Sequence, residues 1–307
     1  MNATIQNAPI LLFVYNRPEH LKRTVEALKK NVLASESELY IYSDAPRTEE
    51  DNNNVAQVRK YIRTITGFRN IHITEREHNW GLAKSIIEGV SSQIAIHGKV
   101  IVLEDDLITA PYFLKFMNDA LAMYKDDEKV GHIQGCDFTQ DTSLPDTFFI
   151  KWTGSWGWAT WERAWKHFNP DGKALLRQLE ERKLTYKFDF NGKYGYTRML
   201  RRQIEGKNNS WAIRWNASLF LDDMLSLNVG KSLVQNEGFD GSGTNCGGGG
   251  LYASNLYMNE LKVERISEIK ENDSARMAYV RYYARTNSFW AKAIRRIKRT
   301  LKGDFSR

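Results

Sequence analysis

The first hundred residues of this 307-residue chain alternate between short apolar runs and stretches whose apolar residues recur at helical spacing. The runs predict strands and the spaced stretches predict helices. An order that repeats strand, helix, strand favours a Rossmann-type, mostly parallel central sheet flanked by helices, which is an α/β fold. The predicted strands cover residues 10–15, 39–43, 70–74 and 99–103, and the longest predicted helix covers 81–97.

Three consecutive acids, Glu104, Asp105 and Asp106, follow the fourth apolar run, VIVL. Open α/β sheets bind ligands at the carboxyl ends of their strands, which is where these acids fall. Packed carboxylates repel one another unless a cation lies among them. Mg²⁺ and Mn²⁺ prefer carboxylate oxygens and often keep a phosphate as a ligand. The acids therefore indicate metal-assisted handling of a phosphorylated substrate, and the alternative is a solvated acidic turn.

Other predicted strand ends carry side chains that suit a nucleotide. A parallel sheet would bring these strand ends to the same edge as the acids. There Tyr15 could stack on a base, and Asp44 could accept a base N–H or else simply begin a turn. The cations Arg17 and Lys84 could contact phosphates.

Structural roles remain open for several of the same residues. Asn16 and Glu19 have the spacing of a capping box at the start of the first helix, and Thr48 and Asp51 have it at the start of the second. Lys84 falls within the predicted helix 81–97, where a solvated side chain is the simpler interpretation.

Several function classes lack their motifs in this sequence. There is no Walker loop, no G-x-G-x-x-G after the first apolar run and no G-x-S-x-G, and the six histidines are scattered. This argues against P-loop enzymes, dinucleotide oxidoreductases, triad hydrolases and zinc enzymes.

The net charge of +7 is concentrated in residues 281–307, which carry +8. The nearly neutral remainder argues against a nucleic-acid groove. This basic segment has one apolar helical face, which is typical of a helix that docks on anionic membrane, although packing against the body is the alternative. The two cysteines, Cys136 and Cys246, and the lack of a signal pattern favour a cytoplasmic protein, peripheral on the inner face of the cytoplasmic membrane.

The regular alternation ends after residue 134. Residues 148–168 are dense in aromatics, and residues 235–250 are rich in glycine, which predicts a loop. We therefore expect a nucleotide-binding half over 1–107, an irregular acceptor-side half of the same domain over 108–260, and a basic helical tail over 261–307.

The segments "YNRPEHLKRTVEAL", "SDAP", "HNWGLAKSI" and "VLEDDL" resemble the nucleotide-sugar half of GT-A glycosyltransferases of the family 2 type. "VLEDDL" is also similar to the acidic motif of N-acetylglucosaminyltransferase I. "GSWGWATWERAW", "SWAIRW" and "NEGFDGSGTNC" resemble stretches of bacterial family 2-like transferases that build surface polysaccharides. Together these segments touch most of residues 9–246.

The resemblance implies a Mn²⁺ or Mg²⁺ ion on Asp106, with Asp105 beside it, that bridges the diphosphate of a nucleotide sugar. The resemblance further implies that three residues border the donor sugar or the acceptor. Indole faces stack well on sugars, which supports this role. The alternative is that the tryptophans form a buried core. The three residues are Trp156, Gly157 and Trp158. The implied nucleotide-binding residues are Tyr15, Asn16, Arg17, Asp44, Gly81, Lys84, Glu104 and Asp105.

An inverting transferase needs a carboxylate base near the acceptor hydroxyl. Glu162 and Asp240 lie in family-like motifs, and Glu162 is slightly favoured. The chain departs from the family pattern at Asn245, where a histidine is expected, and this puts one metal or phosphate contact in doubt. The other acidic candidates are Glu180, Glu181, Asp222 and Asp223.

The residues and the resemblance together predict a metal-dependent hexosyl- or N-acetylhexosaminyltransferase. The resemblance alone implies that the transfer inverts and that it serves bacterial surface-polysaccharide synthesis, such as that of lipopolysaccharide. The donor would be a nucleotide sugar, with UDP favoured, and the acceptor a hydroxyl of a glycan or lipid-linked glycan. One alternative is a sugar nucleotidyltransferase, which should have a glycine-rich basic loop where this chain has "YNRP". The other is a non-catalytic glycan-binding homologue of the same fold.

Overall fold

The computed structural model describes residues 6–238 and 255–288. Its largest element is an eight-stranded sheet in the order β3-β2-β1-β4-β8-β6-β9-β7, and β5 pairs with β10 beside it. The strands are β1 Ile10–Val14, β2 Glu38–Ser43, β3 Asn70–Glu75, β4 Lys99–Glu104, β5 Leu107–Thr109, β6 Val130–Gln134, β7 Thr147–Ile150, β8 Trp158–Trp161, β9 Leu225–Val229 and β10 Val234–Asn236.

Helices surround the sheet. Those that connect the first strands are α1 Pro18–Lys29, α2 Asn52–Ile62 and α3 Gly81–His97, followed by α4 Phe113–Met123. The second half of the chain contributes α5 Glu162–Trp165, α6 Gly172–Glu181, α7 Thr185–Phe188, α8 Tyr196–Ile204, α9 Trp211–Leu221 and α10 Asp273–Thr286. No helix within residues 6–238 and 255–288 combines the length and apolar character that crossing a membrane requires.

The first four strands of the sheet, β3, β2, β1 and β4, are all parallel. This confirms the α/β fold with a mostly parallel, mixed sheet. The direction then changes, because β8 runs antiparallel to both β4 and β6, while β9 is again parallel to β6. β4 and β6 consequently point the same way, and both end at the edge where β1 and β2 end. We call this the carboxyl edge and the opposite one the amino edge.

Helix boundaries confirm one predicted capping box and contradict the other. The first helix begins at Pro18 with Arg17 as its N-cap, and no side chain caps it, so the prediction that Asn16 caps α1 was wrong. Proline at the first helical position needs no backbone donor and fixes a helical φ, which starts the helix without a side-chain cap. Thr48 and Asp51 form the second capping box as predicted, around the short 3₁₀ turn before α2.

The tryptophan-rich segment lies mostly in the core. Trp158 is completely buried, and Trp161 and Trp165 are 5% and 7% exposed. A second hydrophobic cluster lies under α10, where Tyr279 and Tyr283 pack with Phe190. Strands from both predicted halves of the domain enter the same sheet, and the larger hydrophobic cluster contains buried residues from both halves.

Candidate active site

The acidic residues lie at the carboxyl edge, at the turn between β4 and β5. Asp106 and Arg17 form an ion pair, in which Nη1 of Arg17 lies 2.7 Å from Oδ2 of Asp106. Only 11% of the Asp106 side chain and 14% of the Arg17 side chain are exposed. Arg17 reaches Asp106 because β1 and β4 are parallel neighbours and the N-cap of α1 follows directly from the end of β1. The pair is therefore an enclosed guanidinium–carboxylate contact at the predicted metal position.

Asp105 turns toward the end of β1. Its Oδ2 accepts the Tyr15 backbone N–H at 3.1 Å, and its carbonyl oxygen accepts the Thr24 hydroxyl at 2.9 Å. Burial raises the pKa of Asp105 to about 7, and the charge of Asp106 adds to the shift. Burial likewise raises the pKa of Glu104 well above its usual value, with both neighbouring aspartates contributing. The positive charge of Arg17 acts on both pKa values in the opposite direction.

Residues 236–238 cover Asp106 from the other side, and the sequence did not indicate their position. The Glu237 N–H donates to the Asp106 carbonyl at 2.9 Å, and the Asn236 Oδ1 accepts the Gly238 N–H at 2.7 Å. A Cβ at Gly238 would collide with Asp106 Oδ2. Only glycine therefore fits against this carboxylate without displacing it. The one available signal was that these residues begin the family-like segment "NEGFDG".

Asp44 holds the ends of two strand-to-helix connections together. Its Oδ1 accepts the N–H groups of Ala45 at 2.9 Å and Trp80 at 2.8 Å, and its Oδ2 accepts the Gly81 N–H at 2.8 Å. A carboxylate offers about four acceptor positions, and the described residues occupy three of those of Asp44. Gly81 has φ +71°, in the left-handed region that favours glycine. The structure thus brings Asp44 and Gly81 together as predicted for one edge of the sheet.

Asp51 organises the loop that carries Tyr15 and Asn16. The Tyr15 hydroxyl donates to Asp51 Oδ2 at 2.7 Å, and the Asn16 amide donates to Oδ1 at 2.6 Å. The bond from Tyr15 is the largest of the effects that lower the pKa of Asp51 to about 2. Burial raises the pKa of Tyr15 to about 12. The capping-box pattern had located Asp51 in sequence, but it gave no sign of these long-range contacts.

Two cations lie over the ring of Trp80, at the N-cap of α3. The Arg76 guanidinium carbon is 3.6 Å from the ring centroid, and the Lys84 ammonium is 4.2 Å from it. Cations over an indole face are attracted by its electron-rich surface. Lys84 is exposed on the surface of α3, next to the loop that Asp44 holds. The role of Arg76 was missed, because nothing in its spacing separates it from other surface arginines.

Trp156 and Gly157 lie at the carboxyl edge, immediately before β8. The Trp156 carbonyl accepts the Gln134 amide at 3.2 Å, and Gly157 has φ +63° with Val234 too close to allow a Cβ. Trp158 differs from its prediction. Its indole is completely buried and stacks on Trp211 at 5.1 Å, so it cannot face a sugar in a cleft. The buried-core alternative is the correct one for Trp158.

Glu162 lies at the wrong edge of the sheet for the predicted base. Its N–H donates to the carbonyl of Gly98 at 2.8 Å, just before the start of β4, and its carboxylate pairs with Lys166 at 2.9 Å. The length of β4 separates it from the acids by about 20 Å at roughly 3.3 Å per residue. β8 runs antiparallel to β4 and carries the end of the motif "GSWGWATWERAW" to the amino edge. The prediction that Glu162 acts near Asp106 was therefore wrong.

Four further base candidates also lie away from the acids. Asp222 and Asp223 directly precede β9, whose start is at the amino edge, and they pair with His167 and Lys151. The exposed acids Glu180 and Glu181 end α6, which is tied to the end of α9 through a bond from Arg182 to the Leu221 carbonyl. The remaining candidate, Asp240, and the departure at Asn245 lie outside the described residues, as do Cys246 and residues 289–307 of the predicted tail.

The donor set at Asp106 suits a hard cation that takes most of its ligands from elsewhere. Within residues 6–238 and 255–288, no group of three His, Cys, Asp or Glu side chains is arranged to hold a metal alone. Mg²⁺-type ions commonly bind one or two carboxylates and complete their shell with water and substrate phosphates. Asp106 offers one such carboxylate, and its Oδ2 is paired with Arg17. The chemistry of this donor therefore suits Mg²⁺ or Mn²⁺, provided that other groups complete the shell of the ion.

Comparison with known proteins gives a family match and several structural neighbours. The family model Glycosyl transferase family 2 matches residues 10–208. TarS from S. aureus aligns over 45% of this chain and 23% of its own, at 17% identity and a TM-score of 0.31. The Pyrobaculum calidifontis mannosyltransferase PcManGT, solved with GDP-Man and Mn²⁺, aligns over 71% of this chain and 69% of its own, at 10% identity and a TM-score of 0.40. No curated protein sequence matches the chain significantly.

Proposed function

The chain belongs to glycosyl transferase family 2, whose model covers more than half of it, and from this premise we propose that it transfers a sugar from a nucleotide sugar to a glycan hydroxyl. The observation that carries the proposal is the placement of Asp106 and Arg17 together at the carboxyl edge of a parallel sheet. An anion-binding arginine beside a metal-suited carboxylate matches the needs of a diphosphate.

On this proposal the donor binds across the ends of β1, β2 and β4. Asp106 would hold Mn²⁺ or Mg²⁺, which would neutralise the diphosphate as it leaves. Arg17 would contact the same diphosphate, and Asp44 would accept a base N–H. Glu104 and Asp105 would line the ribose side, next to Tyr15 and Asn16. UDP is the proposed nucleotide.

The acceptor would approach from the side of Trp156 and Gly157. A carboxylate there would take the proton of the attacking hydroxyl, which is the step that inversion requires. Since Glu162 lies at the amino edge, the proposed base is Asp240. We propose a glycan or lipid-linked glycan of the bacterial surface as acceptor, with residues 281–307 docking on anionic membrane at the cytoplasmic face.

Calorimetry of nucleotide binding tests the donor proposal. UDP, GDP and dTDP are titrated into the protein with and without Mn²⁺, and into Asp106→Asn. We expect one nucleoside diphosphate to bind in a Mn²⁺-dependent way and Asp106→Asn to lose that dependence. Asp126→Asn is the matched control. The Asp126 side chain is 85% exposed, and among the described residues its only ion pair is with Lys125. Diphosphate binding that ignores Mn²⁺, or turnover of a nucleoside triphosphate with a sugar 1-phosphate, would contradict the proposal.

A further inference from the structure

The Arg17–Asp106 pair holds a positive charge at the point where the proposed function needs a divalent cation. Both side chains are largely enclosed, and the contact is 2.7 Å. Two further acids, Glu104 and Asp105, lie next to it in sequence and in space. Burying adjacent carboxylates without a counter-charge is costly, so the guanidinium stabilises the cluster.

A divalent ion on either carboxylate oxygen of Asp106 would lie close to the guanidinium that already pairs with Oδ2. A guanidinium and a divalent ion repel each other, and the repulsion is strong in a partly desolvated site. Binding of the ion therefore favours a position of the guanidinium farther from this carboxylate.

Arg17 is the partner that can move. The backbone of Asp106 is fixed by the Glu237 N–H, and its carboxylate packs against Gly238. The backbone of Arg17 is fixed too, since its carbonyl accepts the Leu21 N–H at 3.0 Å as the first turn of α1. The arginine side chain, in contrast, has several rotatable bonds and can reach a neighbouring anion without moving the helix.

We propose that Arg17 is an exchangeable counter-cation: it neutralises Asp106 when the site is empty and transfers to the donor diphosphate when a divalent ion binds Asp106. This rests on the proposed function. The exchange couples the two ligands, because the diphosphate draws Arg17 away from Asp106 and so strengthens cation binding. By linkage the cation must strengthen diphosphate binding by the same factor.

The test measures Mn²⁺ affinity by electron paramagnetic resonance of the free ion, with and without UDP, for the wild-type chain and Arg17→Gln. Removing the competing charge should tighten binding of Mn²⁺ alone by about threefold or more. The enhancement of Mn²⁺ affinity by UDP should shrink in the variant. Thermal unfolding should show a larger stabilisation by Mn²⁺ for Arg17→Gln than for wild type.

Two further variants make the test decisive. Arg63→Gln removes the same charge from an exposed pair with Glu75, at the end of β3, which lies three strands from β4 in the sheet, and should leave Mn²⁺ binding unchanged. Arg17→Lys keeps a cation with a shorter reach and should give an intermediate Mn²⁺ affinity, which preserves the test if Arg17→Gln does not fold. If the Arg17 variants bind Mn²⁺ as weakly as the wild type, or more weakly, the proposed exchange is wrong while the proposed metal role of Asp106 stands. Absence of Mn²⁺ binding to every protein, with UDP present, would overturn the metal role and this inference together.

Discussion

At the scale of single residues, the site depends on how closely Gly238 lies to Asp106. Replacing Gly238 with Ala places a methyl group where Asp106 Oδ2 now lies, so the carboxylate must shift. Misplacing a ligand group by about 1 Å commonly costs a large factor in binding or rate, and we expect Mn²⁺-dependent UDP binding to weaken about tenfold. Calorimetry measures the change.

The matched control is Gly195→Ala. The nearest atom to a Cβ at Gly195 is at an ordinary contact distance of 3.6 Å, and this residue has a negative φ. If Gly238→Ala binds UDP and Mn²⁺ as tightly as Gly195→Ala, the close packing of residues 236–238 on Asp106 has no functional role.

His132 makes the stability of the protein dependent on pH. Its ring is fully buried, accepts the Trp215 indole N–H at 3.1 Å and stacks on Trp158. Burial lowers the pKa of His132 from 6.5 to about 3. Between these values the unfolded chain binds a proton that the folded chain does not. The contribution of His132 to the free energy of unfolding is therefore complete above pH 6.5 and declines as the pH falls toward 3.

The corresponding experiment compares urea unfolding at pH 7.5 and pH 5 for wild type and His132→Gln. We expect the variant to be less stable at pH 7.5, because the Trp215 indole N–H loses the His132 ring nitrogen that accepts its hydrogen bond. We also expect the variant to lose less stability than the wild type when the pH is lowered to 5. An identical loss of stability in both proteins would show that His132 is not the source of the pH dependence.

Local sequence signals were sufficient for some of the site residues. The acids and Asp44 directly follow apolar runs, so the parallel arrangement of those strands already placed them at one edge. The contacts of Arg17, Asp51 and Gly238 join segments that are far apart in sequence. Charge and spacing along the chain do not determine such partners, which is why the ion pair and residues 236–238 became visible only in the structure.

At the scale of elements, strand direction accounts for the largest error. The four residues of β8 are all buried, and an apolar run of this length carries no signal for direction. β8 runs antiparallel beside β4, so its first residues lie near the acids while Glu162 lies at the opposite edge. The α1, α2 and α3 region was predictable because each helix must return the chain to the start of a parallel strand.

Helix α10 stabilises the acceptor-side half through Tyr279. This side chain is completely buried and lies 5.5 Å from Phe138 and 5.3 Å from Trp152, measured between rings. Tyr279→Ala should lower the free energy of unfolding by about 3 kcal/mol, as for other large buried aromatic residues. Chemical denaturation measures this difference.

Tyr186→Ala provides the comparison, because Tyr186 is 66% exposed. Its effect should stay within about 0.5 kcal/mol, which is typical of surface positions. A Tyr279→Ala protein as stable as Tyr186→Ala would mean that α10 contributes little to the folded core.

At the scale of the whole molecule, charge is separated along the chain. Residues 281–307 carry a net charge of +8, whereas residues 1–280 together carry −1. We expect the full chain to sediment with phosphatidylserine vesicles at low salt and to be released at high salt, because screening shortens the range of the attraction. A chain ending at residue 288 should bind less. Equal sedimentation with neutral and anionic vesicles would contradict a membrane role for this segment.

On the proposed function, Asp106 holds a divalent cation that in turn holds a nucleoside diphosphate. The most direct measurement is anomalous X-ray diffraction at the manganese edge from crystals grown with UDP and Mn²⁺. We expect a manganese peak at coordination distance from Asp106, with the diphosphate on its other side and Arg17 no longer on Asp106. Bound UDP with no manganese at Asp106, and with Arg17 still paired to it, would show that Asp106 does not hold the metal.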